Sequence, residues 1–174
     1  ESIEGKTVLV TGASGSIGGE LCRQALRLRP SRLVLLELDE SRLYETYIEL
    51  NEIANGTQIQ MALGDVRNAV KLDRVFGRYE PDLVIHAAAY KHVPLMEMEP
   101  DEAVKTNVLG TLNVLNASRA HDVDRFLLIS TDKAVTPTSV MGLTKAIAER
   151  LVFEAAFSGI DRKSTRLNSS HGII

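Results

Sequence analysis

The sequence predicts an α/β protein built on a doubly wound parallel sheet, and three observations predict it. Short runs of apolar and β-branched residues alternate with stretches of helical spacing along most of the chain. The runs are apolar almost throughout rather than at every second residue, as strands covered by helices on both faces require. The first run passes directly into a glycine-rich turn that opens a helix.

The elements follow in order. Residues 6–11 form the first strand. Residues 16–29 have helical spacing, with Ile17, Leu21, Cys22, Ala25 and Leu28 on one face, and Pro30 stops them. Arg32–Glu37 is the second strand. Residues 41–55 form a helix closed by Asn55 and Gly56, a pair suited to a left-handed cap. Residues 58–62 are the third strand, residues 70–79 a helix ahead of Pro81, and Leu83–His86 the fourth strand. Residues 100–120 form a long helix with a proline in its first turn. Arg125–Ser130 is the fifth strand, and residues 141–157 form a helix whose buried face is expected to carry Leu143, Ile147, Leu151, Val152 and Ala155.

A nucleotide-binding sheet of this kind has about six strands. Five strands followed by one helix therefore predict a C-terminally truncated sheet. Residues 161–174 show neither helical nor strand periodicity and are read as a non-native tail. Residues 1–160 are then one partial domain, without the C-terminal region that would cover a substrate. Such a fragment is expected to be inactive by itself, with an exposed sheet edge that invites association.

The chain has 174 residues, 44% hydrophobic and 25% charged, with a net charge of −3. That suffices for one globular domain with a sizeable core. The acidic balance speaks against a nucleic-acid partner. Cys22 is the only cysteine, which excludes an internal disulfide, fits a reducing, cytoplasmic setting and reads as a small core residue. No run is long enough to cross a bilayer, and no Cys/His set has metal-ligand spacing, so no metal is inferred.

The turn Thr11-Gly12-Ala13-Ser14-Gly15-Ser16-Ile17-Gly18 carries the first functional signal. Gly12 permits the tight strand-to-helix turn, Gly15 lets backbone approach a pyrophosphate, and Gly18 lets the helix lie close. Ser14, Ser16 and Ile17 sit where the helix N-terminus presents free N–H groups to phosphates. The sheet is thus Rossmann-like, with a dinucleotide as its ligand. Glu37 ends the second strand 25 residues after Gly12, where a carboxylate accepts from ribose hydroxyls and repels a 2′-phosphate. No arginine follows directly, which favours NAD over NADP. Asp65 and Val66, after the third strand, are placed to meet the adenine, although Asp65 could instead cap the next helix. Ala87, Ala88 and Ala89 leave room for a flat ligand at the end of the fourth strand. Lys91 and His92 lie beyond them, in reach of phosphate or sugar. His86 reads as a core histidine and Asn107 as structural support.

The densest chemistry is Ser130-Thr131-Asp132-Lys133, with Met141 and Lys145 further on. A hydroxyl, a carboxylate and an amine stand together at the C-terminal end of a buried strand, where open α/β sheets bind ligands. Related enzymes place a tyrosine base four residues before such a lysine. Here Met141 holds that place, and a thioether cannot move a proton.

Together these segments resemble the extended short-chain dehydrogenase/reductase superfamily, and within it the nucleotide-sugar 4,6-dehydratases of polysaccharide biosynthesis. Residues 7–23, 85–97, 102–114 and 130–145 carry the resemblance. Methionine in place of tyrosine is similar to a large, membrane-anchored branch, which implies a parent at the cytoplasmic face of the inner membrane. The resemblance implies a UDP-N-acetylhexosamine substrate and a tightly bound, recycled NAD or NADP. It implies oxidation at C4, elimination of water across C5 and C6, and return of hydride to C6. By the same resemblance Thr131 would bond the C4 oxygen, Asp132 would be the acid for the 6-hydroxyl, Lys133 the base at C5 in a partly desolvated site, and Lys145 the nicotinamide-ribose ligand. The acceptor of the C4 hydroxyl proton stays open between Asp132, Lys145 through water and another group. The two long helices resemble a pair that forms a homodimer. An epimerase on the same scaffold and a non-catalytic dinucleotide sensor are the competing readings.

Overall fold

Five apolar runs form the parallel strands that their composition predicts. In a computed structural model, which describes residues 3–157 and a strand at 165–168, they are β1 (Thr7–Thr11), β2 (Arg32–Glu37), β3 (Gln58–Leu63), β4 (Leu83–His86) and β5 (Arg125–Ser130). Between them lie α1 (Ser16–Arg27), α2 (Glu40–Glu52), α3 (Ala69–Tyr79), a short α4 (Val93–Met98) and a long helical segment from Pro100. After β5 comes α7 (Val140–Phe157). With β6 at Thr165–Asn168, the strand order is β3-β2-β1-β4-β5-β6, all parallel. β1 therefore pairs with both β2 and β4, and the chain leaves their C-terminal ends in opposite directions, which opens a crevice there.

The sheet is covered on both faces. Leu9, Val34, Leu36, Val84 and Leu128 pack on one side against Leu72 and Phe76 of α3 and Val114, Leu115, Ala148 and Val152 of the later helices. Val8, Val10, Leu33, Leu35 and Ile85 pack on the other side against Cys22, Ala25, Leu26, Leu43 and Leu50. Cys22 is fully buried, and burial pushes its thiol up to about 12.

Four features differ from the sequence reading. On α1 the buried residues are Gly18, Gly19, Cys22, Ala25 and Leu26, while Leu28 is exposed, because the helix stops at Arg27. On α7 the inward face holds Met141, Thr144, Lys145, Ala148 and Val152, and Leu143 and Ile147 face outward. That helix is apolar nearly all round, so spacing alone fits two stripes, and the polar partners of Thr144 and Lys145 decide between them. The 100–120 helix is not uniform: α5 (Pro100–Ala103) leads into a π-helical stretch (Val104–Gly110) and then α6 (Thr111–Ala120). The wide turn puts Thr106, Asn107 and Gly110 on the buried side. A Cβ at Gly110 would lie 2.8 Å from Val66 Cγ2, so glycine lets this helix close on the loop after β3.

The fourth concerns the tail set apart above. Thr165–Asn168 forms a sixth strand, β6, parallel to β5 from Leu127↔Thr165 to Ser130↔Asn168. The far edge of β5 has unpaired backbone groups, which an extended segment can satisfy. The rest of 161–174 lies outside the described residues. Among the described residues, no helix is long and apolar enough to cross a membrane, and no group of His, Cys, Asp or Glu could hold a metal ion.

Candidate active site

The crevice is floored by the glycine turn. Gly12 has φ 64°, and a Cβ there would sit 2.8 Å from the Ala88 backbone. A Cβ at Gly18 would come within 2.0 Å of the Gly12 carbonyl oxygen, so α1 rests directly on the turn. Gly15 is the N-cap of α1 and makes no side-chain cap bond, while Gly15 and Ser16 are exposed. The Ser14 hydroxyl is buried without a partner, beside the free helix end where a phosphate would sit.

One cavity opens between β1, β2 and β4. Gly12, Gly15, Glu37, Asp65, Val66, Ala87, Ala88 and Ala89, all predicted, line it together. Both carboxylate oxygens of Glu37 are held by backbone donors: Ser14 N–H at 3.1 Å, and Leu38 and Asp39 N–H at 2.8 and 3.4 Å. Asp65 does not cap α3; Asn68 does, accepting from Lys71 N–H at 2.9 Å. Partial burial pushes the Asp65 carboxyl up, but hydrogen bonds and charge from Arg67 outweigh this and leave it below the usual carboxylate range. Among the lining residues to which the sequence reading gives no role, four carry polar side chains: Arg42, Arg67, Tyr90 and Thr106. Arg42 bears on the cofactor, because it brings a cation into the cavity from one turn inside α2. Thr106 is buried with an unpartnered hydroxyl. Two orphaned hydroxyls and a cradle that Cβ atoms would fill fit an absent polar ligand of a dinucleotide's shape.

A second cavity adjoins the first through Ala87, Ala89 and Tyr90, and Ile17, Lys91, Thr131, Lys133, Met141 and Lys145 line it. Lys145 is almost wholly buried and donates to the Ile129 carbonyl oxygen at 2.7 Å. Burial lowers its amine to about 8, and the Glu149 charge opposes that fall. Glu149 accepts from the Ser130 hydroxyl, so α7 grips the end of β5 at two points. Thr131 donates to Asp132 Oδ1 at 2.9 Å, and that bond holds the Asp132 carboxyl below its ordinary value. Asp132 does not line this cavity. It lines a neighbouring opening that shares Lys133 and includes Val93, Thr138 and Ser139. Lys133 is exposed, so the described residues do not supply the desolvation expected around it. His92 lines neither cavity and instead occupies the N-cap position of α4. The Val140 N–H at the start of α7 is held by the Glu97 carboxylate at 2.7 Å, which ties α4 to the helix bearing Met141 and Lys145.

A polysaccharide biosynthesis protein family matches residues 8–169, from the glycine turn through both cavities. The chain belongs to that family. The probable polysaccharide biosynthesis protein EpsC of Bacillus subtilis is 47% identical over 86% of the chain, which covers 25% of that protein. An inverting UDP-N-acetylglucosamine 4,6-dehydratase of Campylobacter jejuni is 35% identical over 94% of the chain and 47% of its own length. A UDP-glucose 4-epimerase of Rickettsia prowazekii is 38% identical over 87% of the chain and 44% of its own length. Among solved structures, Pen from Bacillus thuringiensis is 31% identical with a TM-score of 0.85 over 95% of this chain and 49% of that one. The chain thus spans between a quarter and a half of the relatives it matches. Proteins named for polysaccharide biosynthesis, nucleotide-sugar dehydration and nucleotide-sugar epimerisation are thus among the relatives of this chain.

In this family member a continuous hydrogen-bond chain joins the two cavities. Ala88 N–H donates to Thr11 Oγ1 at 3.2 Å, and Thr11 meets His86 Nδ1 at 2.6 Å. His86 Nε2 meets Thr111 Oγ1 at 3.0 Å, and Thr111 donates to the Asn107 carbonyl at 2.7 Å. The Asn107 side chain accepts from Tyr90 N–H at 2.8 Å and donates to the Tyr90 carbonyl and to Thr144 Oγ1, both at 3.0 Å. Thr144 donates to the Met141 carbonyl at 2.8 Å. His86 and Asn107 therefore hold the residue 87–90 loop and α7 in one frame, His86 as the satisfied core histidine and Asn107 as the structural support that the sequence suggests. The chain of bonds crosses four elements, so no local sequence signal could have traced it.

Proposed function

We propose that this chain is the dinucleotide-binding and active-site portion of a nucleotide-sugar 4,6-dehydratase, with UDP-GlcNAc as the first substrate to test. One observation carries the reading: Thr131, Asp132 and Lys133 leave β5 in succession, beside the cavity lined by Met141 and Lys145.

The bound dinucleotide would supply the hydride acceptor at sugar C4 and return the hydride at C6. Glu37, already fixed by backbone donors, would accept from the adenosine ribose hydroxyls. This favours NAD, while Arg42 offers a 2′-phosphate a cation and makes NADP the alternative. Lys145 would hold the nicotinamide ribose, and Lys91 the sugar or a phosphate. Thr131 already gives its proton to Asp132, so its oxygen is left to accept from the C4 hydroxyl. The C4 proton would then pass through Thr131 to Asp132, and Asp132 would deliver it to the departing 6-hydroxyl. Lys133 would be the base for the C5 proton that the new C4 ketone acidifies. Met141, buried against the site, would contribute packing alone.

A 4-epimerase is the second reading, supported by the epimerase relative. Epimerisation at C4 needs no base at C5, so the Asp132–Lys133 pair weighs towards dehydration. The exposed Leu112 on α6 and Leu143 and Ile147 on α7 support a homodimer through these helices.

The test is to incubate the whole protein with UDP-GlcNAc in deuterated water and follow the sugar by proton NMR. A UDP-4-keto-6-deoxy sugar with deuterium at C5 is expected. A 4-epimeric product with protium at C5 would sink the dehydratase reading.

A further inference from the structure

Arg67 is the most tightly held charged group on the wall of the adenosine-side cavity, and the role proposed above leaves it unused. Its Nε and Nη2 donate to Asp65 Oδ2 at 2.7 and 2.6 Å, and Nη1 donates to Glu102 Oε2 at 2.9 Å. All three guanidinium nitrogens are thus engaged edge-on by carboxylates from two different elements. Its backbone N–H donates to Asp65 Oδ1 at 2.9 Å. Asn113 Nδ2 donates to the Val66 and Arg67 carbonyls, both at 3.1 Å, so the loop is pinned to α6 as well. Glu102 is itself held by Lys105 at 2.9 Å.

A phosphate is bound by guanidinium edges, and here those edges already meet carboxylates. The group keeps its two flat faces, and a guanidinium face stacks on planar rings. Val66 is buried while the Arg67 side chain remains 34% exposed, so Val66 forms the inner wall and Arg67 the solvent side. Arg42, by contrast, is 69% exposed and meets only Asp39, at 3.7 Å, which leaves it free to swing.

We propose that Arg67, clamped edge-on by Asp65 and Glu102, stacks its guanidinium face on the adenine base and closes the adenine subsite. This rests on the dinucleotide reading above. It makes Glu102, more than thirty residues away in sequence, a positioning residue for base recognition.

The test is equilibrium binding of ADP-ribose and of nicotinamide mononucleotide to the whole protein and to R67K, R67A and E102Q. R67K keeps the charge and loses the plane. It should weaken ADP-ribose by about 3–10-fold, the worth of a cation–π contact, and leave nicotinamide mononucleotide unchanged. E102Q should give a smaller loss with the same selectivity. The Arg67 Nε–H resonance should shift on adding ADP-ribose and stay in place with nicotinamide mononucleotide. Melting curves confirm that each variant folds, and R67K serves if R67A does not. R67K binding ADP-ribose like the wild type, or losing both ligands equally, overturns the assignment. Wild-type protein that fails to bind ADP-ribose overturns the dinucleotide reading and this inference with it.

Discussion

His86 donates its Nε2–H to Thr111 Oγ1 across 3.0 Å. The direction follows from the neighbour: Thr111 gives its own proton to the Asn107 carbonyl at 2.7 Å, so its oxygen must accept. Nδ1 is then bare and accepts from Thr11. One neutral tautomer satisfies every group in this chain, and a second proton on the ring would leave the Thr11 hydroxyl proton without its acceptor. Burial, with a smaller contribution from the Lys145 charge, lowers the imidazole to about 3.

Acid should therefore destabilise the fold through this residue. The unfolded imidazole takes a proton near 6.5 and the folded one only near 3. Between those values the unfolded state binds more protons, so stability falls as pH falls through that window, by on the order of 5 kcal/mol in full. Nitrogen NMR of the imidazole should report the Nε2–H form, unchanged from pH 8 to pH 4.5. A ring that titrates near 6.5 in the folded protein would contradict the network.

Lys145 is shifted in the same direction, in a higher pH window. Its amine is depressed from 10.5 to about 8 by burial. Between those values the unfolded state holds more protons, so stability rises with pH across that window and the burial cost stands in full below it. If the charged amine holds the nicotinamide ribose, dinucleotide affinity should fall above pH 8 with a midpoint near it. K145M should bind weakly at every pH and show no inflection. A wild-type profile flat from pH 7 to 9.5 would remove Lys145 from cofactor binding.

How much could be read beforehand follows from range. Strands β1, β2, β4 and β5 were legible because burial on both faces leaves a nearly continuous apolar run, β3 because its flanking turns bound a short extended segment at the sheet edge, and the glycine turn because Gly12 and Gly18 meet backbone that no Cβ could approach. Helix α4 was missed because six residues with a proline show no period. The inward face of α7 was misread because Leu143 and Lys145 compete for it, and only the Ile129 carbonyl decides the outcome. Arg67, Tyr90, Thr106 and Glu149 enter through contacts between distant segments, which spacing does not encode.

Gly142 marks one such contact. A Cβ there would lie 2.6 Å from the Lys133 carbonyl oxygen, so α7 and the turn Asp132–Ala134 touch backbone to backbone. G142A should cost about 1–3 kcal/mol, the range for overpacking, and should displace Lys133. G19A is the control: its Cβ would meet Ala13 O at an ordinary 3.5 Å within α1, where alanine is favoured. Melting temperatures should separate the two, and equal melting would show that the turn yields freely.

Lys133→Ala divides the proposed reaction at its middle. The proposed C4 proton path would run through Thr131 and Asp132, which bond to each other at 2.9 Å without Lys133's amine. Removing that amine should leave C4 oxidation intact and stop the reaction before elimination. The whole K133A protein, mixed with UDP-GlcNAc, should then show absorbance of reduced cofactor near 340 nm that persists, with no deuterium entering C5. T131V should instead block the rise in absorbance, because it removes the oxygen that accepts from the C4 hydroxyl. If K133A turns over with wild-type exchange at C5, the base is another group, and the placement of Lys133 between the second cavity and the opening lined by Asp132 reflects sugar binding alone.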